Sequence, residues 1–373
     1  MSWTQKTLGE IVNLKRGFDL PSSNRVDGPY PVFSSSGQTG THSEAAVKGP
    51  CVITGRYGTI GQVFYSDAAC WPLNTSLYST EFKGNNPKFV YYLLKTLPWR
   101  DYLTASAVPG INRNHVHLCP VCVPDYETQT SIATVLGLLD HKIDVNTKLN
   151  GYLEELAALE FSRRFGEIES SIDLGKVLSI STKTLKPQNC HGEIWEHYSV
   201  PAYDANRRPV FELADGIKSN KYVIDASCIL ISKLNPSIRR IWMPACSSKQ
   251  AVCSTEFIVY KPKNPVHKAF YYAAIGAPAF RDFLLAHVTG STGSRQRTEP
   301  KATLTYPIPN PGLEAVEDFC AFANPLYEQI KVNERNSTQL EELRDTLLPK
   351  LMTGEIDVSK VDFTQLNSHL GEC

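Results

Sequence analysis

Residues 145–156, VNTKLNGYLEEL, return 187 positions later as residues 332–343, VNERNSTQLEEL. Three weaker matches precede this repeat in the same order within each copy. They pair Leu8-Gly9-Glu10-Ile11-Val12 with Leu174-Gly175-Lys176-Val177-Leu178, Phe89-Val90-Tyr91-Tyr92 with Ala269-Phe270-Tyr271-Tyr272, and Val123-Pro124-Asp125 with Ile308-Pro309-Asn310. Matches in one order indicate two copies of one plan, each a globular unit followed by a long helix. The alternative is chance similarity between helices rich in Leu and Glu.

The stretch around each repeat has the period of a coiled coil. Positions on one face follow alternating steps of four and three, which is the heptad seam of packed helices. At 1.5 Å per residue the first helix would span roughly 50 Å. Pro325 lies inside the second seam and predicts a kink or a restart of that helix. The seam positions are Ile132, Leu136, Leu139, Ile143, Asn146, Asn150, Leu153 and Ala157 in the first copy, and Phe319, Ala323, Leu326, Ile330, Asn333, Ser337 and Leu340 in the second.

Both seams carry asparagine at the same point, Asn146 and Asn333. A polar seam residue weakens a coiled coil but fixes its register and the orientation of its partner. We therefore expect the two long helices to pack on each other as a spacer between the globular units. A single helix on the surface of one domain would leave the matched asparagines unexplained.

The globular units have the pattern of mixed, β-rich structure. Short apolar runs bounded by Gly, Pro, Asn and Ser predict strands. These runs are residues 50–53, 62–65, 228–232 and 257–260, and helices are predicted around residues 87–97 and 265–285. The predicted fold class is α+β. The predicted boundaries are residues 1–124 and 170–311 for the globular units, 125–169 and 312–356 for the helical segments, and 357–373 for a tail.

The composition indicates a cytoplasmic protein with more than one core. With 373 residues and 42% hydrophobic side chains, the chain is long enough for two or three domains and too apolar for global disorder. No apolar run approaches the roughly 20 residues of a membrane span. The first ten residues lack the pattern of a secretory signal. Ten cysteines without framework spacing fit a reducing compartment, so we expect a prokaryotic cytoplasm, or a phage or plasmid gene expressed there.

The sequence carries no motif of a self-sufficient enzyme. It has no phosphate-binding P-loop, no Rossmann fingerprint, no His-Glu-x-x-His, no Gly-x-Ser-x-Gly and no Asn/Asp-Pro-Pro-aromatic tetrapeptide. Cys119 and Cys122 form the single C-x-x-C. His115 and His117 could complete four zinc ligands, but the apolar surroundings favour buried structural thiols. We expect no catalytic residue, no metal and no cofactor in this chain.

The sharpest local motif is Gly55-Arg56-Tyr57-Gly58-Thr59-Ile60-Gly61, which follows a predicted strand. Its three glycines, at spacing three, predict a tight loop whose backbone can approach a ligand closely. Arg56 supplies a donor for phosphate or a base edge, and Tyr57 supplies a flat group for stacking. The alternative is a glycine-rich hairpin with a surface arginine. In the second copy, residues 232–240 keep basic and turn residues but lose the glycines.

Other polar loops occur in matching places. Residues 34–39 offer hydroxyls and an amide, and residues 110–115 occupy the same place in the first copy as residues 290–297 in the second. Asn, Gln and Arg are the side chains that can contact adenine or guanine with two hydrogen bonds. Each loop alone would be a solvated turn, but their paired placement favours a binding role. The predicted DNA-binding residues are Ser35, Gln38, Arg56, Tyr57, Thr59, Asn112, Arg113, Asn114, Lys233, Asn235, Arg239, Arg240, Ser291, Arg295, Gln296 and Arg297.

Together these motifs resemble the specificity subunit of Type I restriction-modification enzymes over about residues 5–356. The resemblance rests on seven stretches and three single positions. They are Leu8-Gly9-Glu10-Ile11, Tyr30-Pro31-Val32-Phe33 with Gly37, Val52 to Gly61, Tyr91-Tyr92-Leu93-Leu94, and Val123-Pro124 followed by Gln129, Ile132-Ala133, Leu139-Asp140-His141-Lys142-Ile143 and Asn146. Taken together, these stretches are specific for the family, whereas the glycine loop alone would be weaker evidence. The second copy departs from the glycine-loop pattern, which leaves its contact residues less certain.

The resemblance implies two target recognition domains, each reading half of a split double-stranded DNA site. It also implies two antiparallel helices that set the spacing and dock two copies of a methyltransferase subunit, with a restriction and translocase subunit in the larger assembly. S-adenosylmethionine, ATP and magnesium would then belong to the partners. Two alternatives stay open: a DNA reader of a related phage-defence methyltransferase system, and a two-domain protein- or glycan-binding protein.

Net charge separates the segments. The chain has 38 basic and 38 acidic side chains, a balance that at first argues against nucleic acid. Residues 1–124 carry 11 basic and 7 acidic side chains, and residues 170–311 carry 18 and 10. Residues 125–169 carry 4 and 9, and residues 312–373 carry 5 and 12. Both predicted readers are therefore basic, as phosphate binding requires, and both helical segments are acidic.

Overall fold

The computed structural model describes residues 2–104, 109–289 and 296–361, which fall into two compact units. Unit 1 comprises residues 1–145 and 337–373, and unit 2 comprises residues 146–336. Both long helices cross this division, so each unit contains a part of each helix.

The described residues up to Phe165 form nine strands and four helices. The strands are β1 (Trp3–Thr7), β2 (Asn13–Arg16), β3 (Tyr30–Ser34), β4 (Gly37–His42), β5 (Cys51–Gly55), β6 (Val63–Ser66), β7 (Trp71–Pro72), β8 (Ser76–Glu81) and β9 (Pro120–Pro124). The helices are α1 (Leu8–Ile11), α2 (Pro87–Lys95), α3 (Arg113–His117) and the long α4 (Tyr126–Phe165).

The rest of the described chain adds thirteen strands and five helices. The strands are β10 (Ser171–Asp173), β11 (Leu178–Ser181), β12 (Thr184–Leu185), β13 (Ile194–Tyr198), β14 (Val210–Leu213), β15 (Lys221–Val223), β16 (Ile229–Ser232), β17 (Ile241–Trp242), β18 (Ala251–Ser254), β19 (Phe257–Pro262), β20 (Val288–Thr289), β21 (Arg297–Thr298) and β22 (Pro307–Pro309). The helices are α5 (Leu174–Val177), α6 (Val200–Asn206), α7 (Lys268–Gly276), α8 (Pro278–Ala286) and the long α9 (Leu313–Met352).

The two units repeat one topology. Unit 1 has a four-stranded antiparallel sheet of order β2-β8-β5-β6, and unit 2 has its counterpart, β11-β19-β16-β17. In each unit the opening strand pairs with the strand before the long helix, as β1–β9 and as β10–β22. The second sheets differ, since β4-β3-β7 in unit 1 has three strands and β12-β15-β18-β13-β14 in unit 2 has five. The predicted α+β fold is confirmed.

The core of unit 1 joins the sheet to both long helices. Leu8, Ile11 and Phe89 are fully buried against Leu136 of α4 and Leu351 of α9. Each buried side chain of this size stabilises the unit by about 1.5–3 kcal/mol relative to its exposure to water. The helix halves are also joined by an ion pair, in which Arg344 donates to Asp140 at 2.8 Å. Tyr92 of α2 donates to the other oxygen of Asp140 at 2.6 Å, which ties the sheet-packed helix to the same carboxylate.

The core of unit 2 is aromatic. Phe161 and Phe165 of α4 contact Phe319 of α9, with ring centroids 5.5 and 5.6 Å apart, and both contact Phe270 of α7. Further along the same helices, Asn333 lies against Asn150, so the two helices run antiparallel within this unit. Edge-to-face aromatic pairs of this kind add about 0.5–1.5 kcal/mol each beyond area burial.

Helix α9 corrects the restart that was one of the two predicted effects of Pro325. The helix continues through Pro325 without a restart, although proline removes one backbone hydrogen bond and costs about 3 kcal/mol in a helix interior. Pro325 itself is exposed, while Ala323 and Tyr327 beside it are buried in the unit 2 core. Tertiary packing on both sides of Pro325 therefore holds the helix together where local propensity would break it.

The other predicted elements are close to the observed ones. The four predicted strands overlap β5, β6, β16 and β19, and the helix predicted at residues 87–97 is α2. The helix predicted at residues 265–285 is divided at Ala277, because the residue before Pro278 takes an extended conformation with ψ of 148°. Among the described residues, no helix is both long enough and apolar enough to cross a membrane.

Candidate nucleic-acid interface

The glycine loop of unit 1 begins at the end of β5. Gly55 has no room for a side chain, since a Cβ there would lie 1.8 Å from the carbonyl oxygen of Thr59. Gly58 and Gly61 have φ of 76° and 87°, a region that favours glycine. A Cβ on Gly58 would lie 3.4 Å from Ser35 Oγ, so the turn between β3 and β4 lies beside this loop. The three glycines are therefore required by the loop geometry.

Main-chain hydrogen bonds fix the tip of this loop. The backbone N–H groups of Arg56 and Tyr57 both donate to the carbonyl oxygen of Thr75, at 2.9 and 3.2 Å. The N–H of Ile111 donates to the carbonyl oxygen of Arg56 at 2.9 Å, and Tyr57 forms an isolated antiparallel β-bridge with Gly110. A Cβ on Gly110 would lie 2.2 Å from the Tyr57 ring, so only glycine allows the ring to lie there.

The two segments joined in this way, residues 55–61 and 110–114, form what we call the first loop pair. Its side chains line a concavity of about 320 Å³ that contains Arg16, Arg56, Tyr57, Asn112 and Arg113. The Arg56 guanidinium lies 4.5 Å from the centre of the Tyr57 ring, within the range of a cation–π contact. Among the residues that the structure describes, no carboxylate lies within ion-pair distance of Arg56 or Arg113.

The sequence does not single out Arg16 as a contact residue. It ends β2, where it pairs with Leu77 of β8, and its guanidinium is exposed. Asp19 lies 3.4 Å from it, with both side chains more than half exposed. The residue belongs to no motif, and only the pairing of β2 with β8 brings it beside the first loop pair. A basic residue at the end of a strand that precedes a glycine would have been the available signal.

The remaining predicted residues of unit 1 have mixed roles. Asn112 precedes α3, and its side-chain oxygen accepts from the backbone N–H of Asn114 at 3.0 Å, so one of its two polar groups is used locally. Gln38 is exposed on β4 and Thr59 is half-buried. Neither Gln38 nor Ser35 lines the concavity.

Unit 2 has an equivalent set of main-chain contacts formed by other residues, and we call this repeated set the joint. The N–H of Lys233, just after β16, donates to the carbonyl oxygen of Glu256, which directly precedes β19, at 2.9 Å. In unit 1 the corresponding bond runs from Arg56, just after β5, to Thr75, which directly precedes β8. Leu234 forms an isolated antiparallel β-bridge with Arg297, as Tyr57 does with Gly110. We call residues 232–240 and 296–298 the second loop pair.

Further backbone bonds complete the second loop pair. Asn235 donates to the carbonyl oxygen of Gln296 at 2.9 Å, and Thr298 donates to that of Lys233 at 3.0 Å. Asn235 has φ of 48°, and its side-chain oxygen is buried with no hydrogen-bond partner among the described residues. The predicted residues Ser291 and Arg295 lie outside the described residues.

Carboxylates hold two of the predicted arginines of unit 2. Arg240 is buried, and its Nε and Nη2 donate to the two oxygens of Asp204 at 2.6 and 2.8 Å. This geometry assigns Arg240 to the fold, in disagreement with the predicted DNA contact. Arg297 donates twice to Glu256 at 2.9 Å, and this hydrogen bonding lowers the pKa of the Glu256 carboxyl. Arg239, by contrast, is exposed and lines an apolar concavity of about 350 Å³.

The C-x-x-C motif has no metal-site geometry. Cys119 is buried and Cys122 is exposed, so the prediction of two buried thiols is wrong for Cys122. Successive side chains of β9 point to opposite faces, and Cys122 lies on the exposed face with Pro120, whereas Cys119 lies just before the strand. His117 accepts a hydrogen bond from the backbone N–H of Leu14 at 3.0 Å, and burial lowers its pKa. No group of three or more His, Cys, Asp or Glu side chains in the described part of the chain is placed to hold a metal.

The two seam asparagines meet within unit 2. Asn146 donates to the carbonyl oxygen of Asn333 at 3.5 Å, and Asn333 donates to Asn150 at 2.8 Å. Gln329 donates to the side-chain oxygen of Asn333 at 2.8 Å, and both asparagines are buried. The other predicted seam residues are buried or half-buried; they are Leu139, Ile143, Leu153, Leu326, Ile330 and Leu340.

Comparison with known proteins gives three findings. Residues 1–155 match the family model of the Type I restriction modification DNA specificity domain. The specificity subunit of the Type I restriction enzyme EcoprrI from Escherichia coli is 25% identical over 142 residues, which cover 36% of this chain and 35% of that protein. The specificity subunit of the MjaIX enzyme from Methanocaldococcus jannaschii is 25% identical over 363 residues, which cover 84% of this chain and 79% of that protein.

A solved structure shares the fold. The S subunit of the Type I restriction-modification system from M. genitalium has a TM-score of 0.56 at 16% identity, and the match covers 94% of this chain and 96% of that one. Fold and loop pairs thus define a protein built from two copies of one α+β unit. Residues 1–155 match the family model of the specificity domain, and the resemblance to Type I restriction-modification specificity subunits stated from the sequence is confirmed.

Proposed function

We propose that the chain is the DNA-recognition subunit of a Type I restriction-modification enzyme, with each loop pair reading one half of a bipartite site. The observation that carries this proposal is the repeated joint, in which Arg56 and Lys233 occupy the same main-chain position in the two units. Two equivalent platforms with different side chains are what recognition of two different half-sites requires. Methylation and cleavage would then take place on partner subunits.

The chemistry of the first loop pair suits DNA. Arg56 and Asn112 carry donors that can reach base edges, and Tyr57 is 36% exposed and offers a flat ring. The main-chain bonds to Thr75 and Ile111 hold the tip in place before binding, so little conformational entropy is lost on contact. Sequence-dependent contacts would come from these side chains rather than from the helices.

The long helices would set the distance between the half-sites. The hydrogen bonds among Asn146, Asn150 and Asn333 fix the register of the two helices in unit 2. Because one helical turn advances 5.4 Å, adding residues to α4 would change the spacing of the two readers. Insertion of one turn between Lys142 and Leu156, with a matching insertion in α9, should change the number of base pairs between the half-sites. An unchanged spacing would contradict this role.

Helix α4 also offers a surface for the methyltransferase subunits. Within unit 2, Leu149, Tyr152, Leu156 and Leu159 are 39–67% exposed and follow steps of three, four and three, which makes a second apolar stripe outside the buried seam. Such a stripe is the seam of a further helix contact. We infer that two methyltransferase subunits, which bring S-adenosylmethionine, dock on the helices. The restriction subunit, with ATP and magnesium, would join this assembly.

A charge introduced into the apolar stripe tests the docking surface. Leu156→Glu should abolish co-purification of a methyltransferase subunit encoded beside this gene, because it places a charge in an apolar contact. Glu155→Lys, at the exposed neighbouring position, is the matched control and should retain the partner. Loss of the partner in both variants, or in neither, would contradict docking through the apolar stripe.

The proposed function is tested by the methylome of the host. Cells with the gene should carry a methylated bipartite motif that cells without it lack. A methylome unaffected by deletion would exclude the role. The neighbouring genes would distinguish a restriction-modification enzyme from a related phage-defence methyltransferase system.

A further inference from the structure

Three guanidiniums line the concavity of the first loop pair, and they come from three separate elements. Arg16 ends β2, Arg56 follows β5, and Arg113 begins α3. The concavity also contains Leu77 and Ile111, which are 1% and 2% exposed, and none of the described residues that line it is acidic. Cations placed together in this way repel one another unless an anion lies between them.

We propose that Arg16 and Arg113 hold a backbone phosphate of the DNA, beside an Arg56–Tyr57 pair that reads a base. This division of roles rests on the proposed DNA-recognition function. It adds Arg16, which no sequence motif marks, to the contact surface. It also separates the arginines that give affinity from the one that gives sequence discrimination.

Arg16 has the freedom of a phosphate contact. Its guanidinium is exposed, and its bonds to Asp19 are long, at 3.4 and 3.5 Å. Asp19 also accepts a hydrogen bond from Asn74, so its carboxylate keeps a partner when Arg16 turns to a phosphate. A charge-assisted bond from guanidinium to phosphate, at the usual 2.7–2.9 Å, would replace a weak contact with a strong one.

Arg113 is the second of the two arginines that we assign to the phosphate, and it lines the same concavity as Arg16. It is exposed, and its guanidinium donates no hydrogen bond and forms no ion pair to another described residue, so all its donors are available. Its backbone is held by α3, whose start is capped by Asn112. Two flexible guanidiniums on rigid elements can follow the position of a phosphate, and such contacts position DNA without reading sequence.

Arg56 is held differently. Its guanidinium lies 4.5 Å over the Tyr57 ring, its N–H and that of Tyr57 bind Thr75, and its carbonyl oxygen is bound by Ile111. A guanidinium fixed on a rigid loop presents its fork in one direction, as two hydrogen bonds to guanine require. The same rigidity is unnecessary for a phosphate, which accepts donors from many directions.

The test uses the full chain and a library of random-sequence DNA duplexes. Dissociation constants are measured over a range of salt concentrations, and the bound duplexes are sequenced. Because each neutralised phosphate contributes about 0.9 to the slope of log affinity against log salt, the double variant Arg16→Ala/Arg113→Ala should lower that slope by about one, and Arg16→Ala and Arg113→Ala should each lower it by part of that amount. Both should weaken binding about tenfold or less and equally for all sequences.

Variants with matched charge complete the test. Arg16→Lys should restore the slope, and Lys6→Ala, at an exposed position outside the concavity, should leave it unchanged. Arg56→Ala should instead change the recovered sequence in one half-site. Unchanged slopes in both Arg16→Ala and Arg113→Ala, or a change in the sequence they select, would overturn the proposal. A wild-type chain that selects no sequence would overturn the proposed function itself.

Discussion

The two loop pairs share a main-chain joint and differ in the chemistry built on it. In unit 1 the joint is covered by Tyr57 lying over Gly110, and the arginines beside it have no carboxylate partner among the described residues apart from the loose Asp19 contact. In unit 2 the same positions are taken by Leu234 and Arg297, and Arg297 is held by Glu256. One fold therefore supports an open basic platform and a neutralised one.

The two units share the backbone hydrogen bonds of the joint but differ in the side chains at the same positions. The bonds Arg56 to Thr75 and Lys233 to Glu256 are made by backbone atoms, so they impose no side chain at those positions. Side chains on a fixed backbone joint can change without loss of the fold, which is the condition for two readers of different sequences. The consequences of breaking the joint should accordingly differ between the units.

The largest effect is expected from Gly55→Ala. The new Cβ would lie 1.8 Å from the Thr59 carbonyl oxygen, and relief of that clash requires the backbone of the loop to move, at about 3 kcal/mol. Thermal unfolding with hydrogen exchange of unit 1 would measure the loss. The corresponding position in unit 2 is Ser232, which already carries a side chain.

Gly151→Ala provides the control for that glycine. No atom lies within 4 Å of a Cβ at this position of α4, and alanine favours the helix by up to about 1 kcal/mol. This variant should be as stable as the wild type or more stable. Equal destabilisation by both substitutions would show that the loop of unit 1 is not constrained as described.

Arg240→Ala should destabilise unit 2 by about 2 kcal/mol. The substitution leaves Asp204 without its two charge-assisted bonds and removes a buried side chain. Its neighbour Arg239 is exposed, so Arg239→Ala should change stability by less than about 0.5 kcal/mol. Denaturant unfolding of the two variants compares adjacent arginines with opposite roles. A more stable Arg240→Ala variant would contradict the structural role.

Gly110→Ala should weaken the discrimination of unit 1 between DNA sequences by about 1–2 kcal/mol, with little loss of folding stability. Its Cβ would meet the Tyr57 ring at 2.2 Å, and the exposed ring can turn away at low cost while losing its binding position. The double variant Gly110→Ala/Tyr57→Leu copies the smaller residue of unit 2 and removes the clash. It should recover the wild-type fold but not the lost half-site preference, as judged by sequencing of selected duplexes.

The smallest expected effect is on the stability of unit 2 at acid pH. Hydrogen bonds from Arg297 lower the pKa of Glu256 in the folded chain, so this pair stabilises unit 2 above the unfolded pKa of about 4.5. That contribution is lost as pH falls through the lower folded pKa. Because both side chains are partly exposed, the loss should stay below about 1 kcal/mol. Glu256→Gln should remove this part of the acid dependence, and an unchanged pH profile in the variant would contradict it.

The sequence predicted the repeat and the long helices well because these depend on periodic apolar positions. The strands β5, β6, β16 and β19 were found within a few residues, since glycine, proline and asparagine mark their ends. The restart predicted at Pro325 does not occur, because local helix propensity does not include the aromatic core that packs on both sides of this residue.

The site was predictable only in part. Arg56, Tyr57, Asn112 and Arg113 stood out because glycine and asparagine mark the loops that carry them. Arg240 was assigned to DNA because its partner Asp204 lies 36 positions away and only the fold brings them together. Arg16 was missed for the same reason, since the pairing of β2 with β8 places it in the concavity.

The most direct test of the account is the methylation motif of a host that carries Arg56→Ala together with the partner subunits. If each loop pair reads its own half-site, one half of the bipartite motif should become degenerate, while the other half and the spacing stay as in the wild type. Arg239→Ala provides the reciprocal variant in unit 2. Simultaneous change of both halves, or an unchanged motif in Arg56→Ala, would contradict independent recognition by the two units.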